Sequence, residues 1–168
     1  EGSTASSGRT YKLINNIDMT GYTYVPIGTE VHPFNGVFNG CGNIISGITY
    51  NDSASDISYA GLFGKADSSS TIELLGLVDC TFSSNSTSGS TKIGAIVGYS
   101  NGLISNCYSK SVVRALNTSN TLAAGGLVGE LGVEGSLTGC YARPNNQGTT
   151  GSVIEGTNPL CSYVQEGN

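Results

Sequence analysis

The fold is decided by the stretch Gly125-Gly-Leu-Val-Gly129 and the block that follows it, Gly135-Ser-Leu-Thr-Gly-Cys-Tyr141, because both recur along the chain. The first part returns as Gly61-Leu-Phe-Gly64 and as Ala95-Ile-Val-Gly98. Such internal self-similarity at a spacing of about 30 residues is typical of repeat architectures. The predicted repeat core of these segments comprises Gly61, Leu62, Phe63, Gly64, Ile96, Val97, Gly98, Leu127, Val128 and Gly129.

The second part of the repeat carries a cysteine, which the sequence comparison aligns at Cys80, Cys107 and Cys140. An earlier, looser copy has Ile48 in the corresponding place. Equivalent positions of a parallel coil stack about 4.8 Å apart, so we expect these cysteines to form an interior column of small apolar side chains. Buried thiols are the favoured state, and a disulfide within the column is the alternative. Five cysteines are an odd number, so at least one, with Cys161 a candidate, stays free or bonds another molecule.

Short apolar runs separated by Gly, Ser, Asn and Asp predict an all-β chain, and no helical periodicity survives the glycines. Each repeat unit is too small to enclose a core, so stacking into a right-handed parallel β-helix of five or six coils is the expected fold. A propeller is the competing repeat fold, but its blades need roughly 40–45 residues. The side chains predicted to point inward are Leu62, Phe63, Leu77, Ile96, Val97, Ile104, Leu127, Val128 and Leu137.

The whole chain, 1–168, is interpreted as a single domain. Its predicted parts are an N-terminal flank at 1–10, a degenerate first coil at 11–33, four repeat units at 34–142 and a C-terminal coil or cap at 143–168. Three polar insertions are expected to project as loops from one side of the coil: Asn51 to Ser58, Ser83 to Thr91 and Leu116 to Thr121.

The charge balance excludes some classes of partner. Seven Lys and Arg against twelve Asp and Glu give a net charge of −5, and charged residues are 11% of the chain. Nucleic acid is not an expected partner, because phosphate binding needs clustered cations. No apolar run approaches the ~20 residues of a membrane span, so a membrane-spanning role is not expected. Abundant Ser, Thr, Asn and Gly with few charges favours an extracellular, cell-surface or cell-envelope location.

Catalytic, metal-binding and cofactor-binding residues are not predicted. Glycoside hydrolysis needs two carboxylates about 5–10 Å apart, whereas the acids here do not recur at one coil position. Asp52 with Asp56, and Glu130 with Glu134, are interpreted as turn-forming pairs. His32 is interpreted as a solvated loop residue. A carbohydrate-active enzyme, either a polysaccharide lyase or a hydrolase, is the alternative function. An ice-binding face would need repeated Thr-x-Thr, which is absent.

The repeated blocks resemble the GLUG motif, which is named for its Gly-Leu-x-Gly core. The resemblance covers about residues 11–142 and is fullest at Gly125–Gly129 with Gly135–Tyr141. It implies a right-handed parallel β-helix of the kind found in microbial surface proteins, adhesin-like proteins and immunoglobulin-A peptidases. The peptidase activity is not implied here, because its zinc motif needs two histidines and this chain has only His32.

The expected function is that of a non-enzymatic structural module, either adhesin-like or a subunit of a surface assembly. The expected partners are other surface proteins, glycans or copies of the chain itself. An adhesin would present aromatic side chains, and an assembly subunit would use the unpaired backbone at the ends of the coil. Five tyrosines are candidate surface contacts, and the alternative is that they are structural residues beside turns. They are Tyr50, Tyr59, Tyr99, Tyr108 and Tyr141.

Overall fold

The computed structural model of the chain describes residues 6–52, 58–85, 90–115 and 122–143, together with the backbone of 161–164. Within these residues the chain forms eighteen short β-strands and no helix, which confirms the predicted all-β class. In chain order the strands are β1 (Thr10–Lys12), β2 (Ile17–Asp18), β3 (Val37–Asn39), β4 (Ile44–Ser46), β5 (Thr49–Asp52), β6 (Ser58–Ala60), β7 (Phe63–Ala66), β8 (Thr71–Glu73), β9 (Gly76–Ser84), β10 (Thr91–Gly94), β11 (Val97–Ser100), β12 (Leu103–Ser105), β13 (Tyr108–Ala115), β14 (Leu122–Gly125), β15 (Val128–Leu131), β16 (Ser136–Thr138), β17 (Tyr141–Ala142) and β18 (Cys161–Val164).

These strands form four parallel sheets. Sheet I has the order β1-β3-β8-β12-β16, and sheet II has the order β2-β4-β9-β13-β17, with β5 also paired to β9. Sheet III is β6-β10-β14, and sheet IV is β7-β11-β15-β18. Every strand pair is parallel. A chain that visits sheets III, IV, I and II and then returns to III one rung further along is a parallel β-solenoid.

About three turns of the described chain are complete. The segments β6–β9, β10–β13 and β14–β17 each place one strand in all four sheets. Before them, sheets I and II have further strands, whereas sheet IV has only the single bridges of Ile27 with Phe63 and of Phe34 with Ala66. The expected five or six coils are therefore not confirmed, and right-handedness stays a prediction.

The first block of the repeat stacks in the register that its spacing predicts. Val97 pairs with Phe63 on one side and with Val128 on the other. A Cβ added to Gly98 would lie 2.6 Å from the carbonyl oxygen of Lys92 and 2.8 Å from that of Gly64. Glycine is required here because neighbouring backbone segments approach too closely for any side chain.

The second block is out of the predicted register in its first copy. Ile104 pairs with Ile72 and Leu137, not with Leu77, and Tyr108 pairs with Gly76 and with Tyr141. Cys107 is therefore level with Leu75 and Cys140, and Cys80 lies further along β9, at an irregularity in its pairing with β13. The predicted three-cysteine column is wrong. Aligning the copies on their shared cysteine placed Leu77 opposite Ile104. The strand pairing instead places Ile72, five residues earlier, opposite Ile104.

The interior of the coil is filled by columns of aliphatic and aromatic side chains. Phe63 lies at its centre, with ring centroids 4.9 Å from Phe34 and 5.3 Å from Phe38. Of the side chains predicted to point inward, Leu137 is only partly buried, because it lies in the last described strand of sheet I. The others are buried: Leu62, Phe63, Leu77, Ile96, Val97, Ile104, Leu127 and Val128.

The corner between sheets I and II uses a left-handed residue in successive turns. Leu74, Asn106 and Gly139 all follow the last residue of a sheet I strand and have φ of 52°, 51° and 63°. Only glycine adopts this conformation at no steric cost, and for other L-residues the cost is roughly 1–2 kcal/mol. The solenoid therefore holds even a leucine in this left-handed conformation, because the paired strands on both sides determine the path of the chain.

The first two of the three predicted insertions begin later than expected, since β5 includes Asn51 and β9 extends through Ser84. The remaining parts of these insertions, at 53–57, 86–89 and 116–121, lie outside the described residues, as do most of the two termini. In the part of the chain that is described, no helix has the length and apolar character needed to cross a membrane.

Candidate binding surface: tyrosines outside the coil

One concavity among the described residues is a groove beside the first turns. It has a volume of about 490 Å³ and lies between the loop after β2 and strand β5. The residues that line it are Gly21, Tyr22, Thr23, Tyr24, Thr49, Tyr50 and Asn51. Small-molecule sites have volumes of about 300–1,000 Å³, so the groove is large enough for a small ligand.

Two tyrosines form a fixed aromatic corner in this groove. The rings of Tyr24 and Tyr50 lie 6.4 Å apart and almost perpendicular, at 87°. The Tyr24 hydroxyl donates a short hydrogen bond to the carbonyl of Leu62, which ties the loop after β2 to the core. Burial raises the pKa of Tyr24 above its ordinary value, so this phenol stays neutral. Tyr22, by contrast, is 69% exposed.

Among the described residues that line the groove, none has a charged side chain. Its polar groups are the side chains of Thr23, Thr49 and Asn51 together with the tyrosine hydroxyls. The nearby carboxylate of Asp18 accepts hydrogen bonds from the amide and hydroxyl of Thr20, which lower its pKa. The described part of the lining therefore offers aromatic rings and hydrogen-bonding groups.

A second aromatic cluster differs because lysines cover it. Tyr59 and Tyr99 lie 6.2 Å apart, and Lys92 Nζ is 4.6 Å from the centroid of Tyr99 and 5.7 Å from that of Tyr59. Lys65 Nζ lies 5.3 Å and 5.5 Å from the same two rings. Ammonium groups within about 6 Å of a ring are held by cation–π attraction. These ring faces are therefore already occupied by side chains of the protein itself.

Each of these lysines also has a glutamate partner. Lys92 lies 3.0 Å from Glu130, and Lys65 lies 2.8 Å from Glu30. Burial and a hydrogen bond to the Glu30 carboxylate raise the pKa of Tyr59, while the pKa of Glu30 is lowered, chiefly by its hydrogen bond from Lys65. The cluster is neutral overall and fastens the loop that contains Glu30 to the inner turns.

The remaining tyrosines from the sequence prediction form a stack on sheet II. Tyr108 and Tyr141 are parallel to within 7°, with centroids 5.2 Å apart. A Cβ on Gly76 would meet the Tyr108 ring at 2.4 Å, so that ring lies across the glycine of the preceding turn. Tyr141 is 58% exposed and presents the outer face of the stack.

The cysteines described with their side chains, Cys41, Cys80, Cys107 and Cys140, are free thiols. The amide of Cys107 donates to the sulfur of Cys140 at 3.4 Å, and hydrogen bonding from Cys107 holds the pKa of Cys140 below its usual value. The same contact, with burial, raises the pKa of Cys107. Burial also raises the pKa of Cys80.

The residues weighed for catalysis do not converge. Glu130 pairs with Lys92, whereas Glu134 is exposed in a turn. Among the described residues, no three His, Cys, Asp or Glu side chains come together as a candidate metal site. His32 is an exposed loop residue whose amide donates to Thr29. Asp56 and the side chain of Asp52 lie outside the description.

The sequence prediction missed two members of the groove, Tyr22 and Tyr24, because they precede the recognisable repeats. The signal that could have found them is the short segment Tyr22-Thr-Tyr24, which contains two aromatic residues only two positions apart. The lysines over Tyr59 and Tyr99 were also missed. Lys92 lies over Tyr59 of the preceding turn and pairs with Glu130 of the following turn, at separations in sequence set by the turn length.

No family model matches this chain, so the resemblance to the GLUG motif is not shown. The chain is 32% identical to Halomucin of Haloquadratum walsbyi over an alignment of 145 residues that covers 80% of this chain. The matched segment is 2% of the length of Halomucin. A solved structure from Bacteroides ovatus, described as a candidate immunoglobulin A1 protease, aligns with 96% of this chain and 78% of its own at 14% identity, with a TM-score of 0.44.

Proposed function

We propose that this chain is a non-enzymatic structural module of an extracellular or cell-envelope protein that contacts other molecules through tyrosines on its outer face. This proposal rests on one observation: the side chains of Tyr22 and Tyr141 are exposed on the surface of the coil. Tyrosine combines an apolar ring with a hydrogen-bonding hydroxyl, and it is enriched where proteins meet partners. The adhesin-like role is thus favoured, with glycans or other surface proteins as partners.

The location at the cell surface is supported by the similarity to Halomucin and by the composition. The direct test is to tag the native protein that contains this segment and to compare surface labelling of intact and lysed cells. Surface labelling of intact cells is expected. Labelling only after lysis would contradict the proposal.

The absence of catalysis is supported by the engagement of two described acids, Asp18 and Glu73, in structural contacts. Asp18 accepts from Thr20, and Glu73 accepts from the side-chain amide of Asn39 at 2.6 Å. The alternative, a polysaccharide lyase or hydrolase, is tested by an activity screen on acidic polysaccharides with and without Ca²⁺. Turnover that is lost in Glu73→Ala or Asp52→Ala would establish the enzyme and refute the structural role.

Self-association is a second candidate role, favoured by the first turn. Strands β1 and β2 each pair with one neighbour, and Tyr11, Ile14 and Ile17 are exposed beside them. Unpaired strand edges with apolar side chains are templates for another chain. Light scattering with and without reductant tests this role. Larger species that disappear in Cys161→Ser would indicate assembly through that cysteine.

We also propose that the solenoid is a right-handed GLUG-type β-helix with five or six coils. The support is the recurrence of the glycine block in register and the two bridges that continue sheet IV into the first turn. A crystal structure with a left-handed coil, or with only three coils, would refute this part of the proposal.

A further inference from the structure

We propose that Cys107 and Cys140, which occupy equivalent positions in consecutive turns of the solenoid, form a two-coordinate site for the soft monovalent cation Cu⁺. This inference is independent of the tyrosine contacts proposed above, because it uses thiols that pack in or against the core of the coil. It rests on the register, the orientation and the surroundings of the two sulfur atoms.

The two cysteines lie one rung apart on the same ladder. The residues that follow them, Tyr108 and Tyr141, are paired between β13 and β17. The amide of Tyr141 donates to the carbonyl of Cys107 at 3.1 Å, and the amide of Cys107 donates to the sulfur of Cys140 at 3.4 Å. Neighbouring strands of a sheet are about 4.8 Å apart, so the two cysteines stack at that spacing.

The two side chains have the same orientation. The sulfur of Cys107 lies 3.2 Å from the carbonyl oxygen of Ser105, and that of Cys140 lies 3.3 Å from the equivalent oxygen of Thr138. Each sulfur also lies near a carbonyl oxygen of the preceding turn, at 3.6 Å for Cys107 and 3.7 Å for Cys140. Side chains that are oriented alike one rung apart place their sulfurs about 4.8 Å from each other.

This separation suits a metal ion between the sulfurs better than a bond between them. A disulfide has its sulfurs about 2 Å apart, so one side chain would have to turn before the bond could form. Metal–sulfur bonds of about 2.3 Å span about 4.6 Å when the two sulfurs and the ion lie in a line. The stacked pair therefore matches a linear site with little rearrangement.

Two thiolates in a line favour a soft monovalent ion. Soft thiolate ligands bind Cu⁺ in preference to hard cations such as Mg²⁺ and Ca²⁺, and Cu⁺ accepts linear two-coordinate geometry. Zn²⁺ instead takes four ligands in a tetrahedron. In the part of the chain that is described, no third His, Cys, Asp or Glu side chain joins this pair. The site therefore discriminates between ions by the number of ligands it offers.

The thiol protons of the pair are the groups that the cation replaces. The hydrogen bond from Cys107 lowers the pKa of Cys140, and the same contact, with burial, raises the pKa of Cys107. Binding of one Cu⁺ forms two Cu–S bonds and releases both thiol protons to solvent, with no change in oxidation state. The complex has one net negative charge, which the amide of Cys107 faces and which solvent reaches at half-buried Cys140.

Cys80 is a buried thiol that lacks such a partner. Its sulfur lies 3.4 Å from the carbonyl oxygen of Val78, a contact of the same kind as those above. In the preceding turn it is level with Ile48, because the next residues, Thr49 and Thr81, are paired. Strand β13, which follows it in the sheet, contains no cysteine. Cys80 is therefore the matched control for the pair.

The test is an anaerobic titration of the whole reduced chain with Cu⁺, supplied as its acetonitrile complex and followed by native mass spectrometry and NMR. One tightly held Cu⁺ is expected, with shifts of the amide signals of Cys107 and Cys140. Cys140→Ser is expected to weaken binding by at least about 100-fold, because losing a direct ligand costs more than the roughly 10–100-fold of an outer contact. Cys80→Ser is expected to bind as wild type does.

Thermal unfolding provides a second readout, with Cys107→Ala as a second variant. Cu⁺ should raise the unfolding midpoint of wild type and of Cys80→Ser, because a ligand that prefers the folded chain stabilises it. It should not raise the midpoint of Cys140→Ser or Cys107→Ala. Midpoints without metal show whether each variant is folded.

Three results would overturn the proposal. They are unchanged affinity in Cys140→Ser, equal losses in Cys80→Ser and Cys140→Ser, and displacement of Cu⁺ by an equimolar amount of Zn²⁺. Binding that survives in Cys140→Ser and is lost in Cys41→Ser or Cys161→Ser would place the ion at another thiol, and it too would overturn the paired site.

Discussion

The inner turns (58–115) and the first turn (10–36) of the solenoid differ in how their side chains are used. In the inner turns the strands from β8 to β13 each have a neighbour on both sides, and side chains such as Phe63 are completely buried. In the first turn, β1 and β2 have one neighbour each, and apolar side chains such as Ile14 and Tyr22 are exposed. Stacking thus provides stability in the middle, whereas the end of the coil keeps side chains accessible for contacts.

The largest expected loss of stability follows from a substitution in the core of the inner turns. Phe63→Ala should lower the free energy of unfolding by about 3–5 kcal/mol, because it leaves a cavity between Phe34 and Phe38. In the first turn, Ile14→Ala should change it by less than about 0.5 kcal/mol, because Ile14 is 86% exposed. Urea denaturation of both variants measures the difference. Equal losses would refute the contrast between the two regions.

Two Gly→Ala substitutions test the same contrast, and their expected effects on stability are of intermediate size. Gly98→Ala should cost roughly 1–3 kcal/mol, because its new Cβ meets backbone atoms at 2.6–2.9 Å. Gly21→Ala should cost only about 1 kcal/mol, since Gly21 has φ of 80° but no heavy atom within 4 Å of the new Cβ. Thermal unfolding of the two variants gives the comparison. A smaller shift for Gly98→Ala would contradict the close stacking of the turns.

The two ion pairs provide a smaller effect. Lys92→Met should destabilise by roughly 1–3 kcal/mol, because it leaves Glu130, which is mostly buried, without its cation. Lys65→Met should cost at most about 1 kcal/mol, because the partner carboxylate of Glu30 is half exposed. A double-mutant cycle with Glu130→Gln and Glu30→Gln measures each pair. A stronger coupling for Lys65 would reverse the predicted order.

The smallest effect is the pH dependence contributed by Glu30. Its pKa in the folded protein is below the ordinary value of 4.5, so its contribution is present above that pH and is lost as pH falls through the folded pKa. Wild type should exceed Glu30→Gln in stability by less than about 1 kcal/mol at pH 7. The difference should shrink towards pH 3 in urea titrations. A difference that grows in acid would show that the pKa shift has the opposite sign.

The sequence alone was sufficient to predict an all-β chain with parallel stacking. The Gly-Leu-Phe-Gly block and its two later copies determine this, because they are local patterns whose spacing of one turn returns Phe63, Val97 and Val128 to one column. Glycine at the close approach of two backbones is likewise readable, since no other residue fits there. Such features depend on residues near one another in sequence or separated by whole turns.

Only the tertiary structure decided the alignment of the second block, the partners of the tyrosines and the groove. Cys80 and Cys107 are the same residue type, but they do not occupy equivalent positions of the coil. The register is that of the paired strands, which does not require identical side chains at equivalent positions. Which side chains cover a tyrosine depends on neighbours that the local sequence does not contain: Lys92 lies over Tyr59 of the preceding turn, and Tyr24 lies beside Tyr50. These distances follow from the packing of successive turns, which the local pattern does not contain.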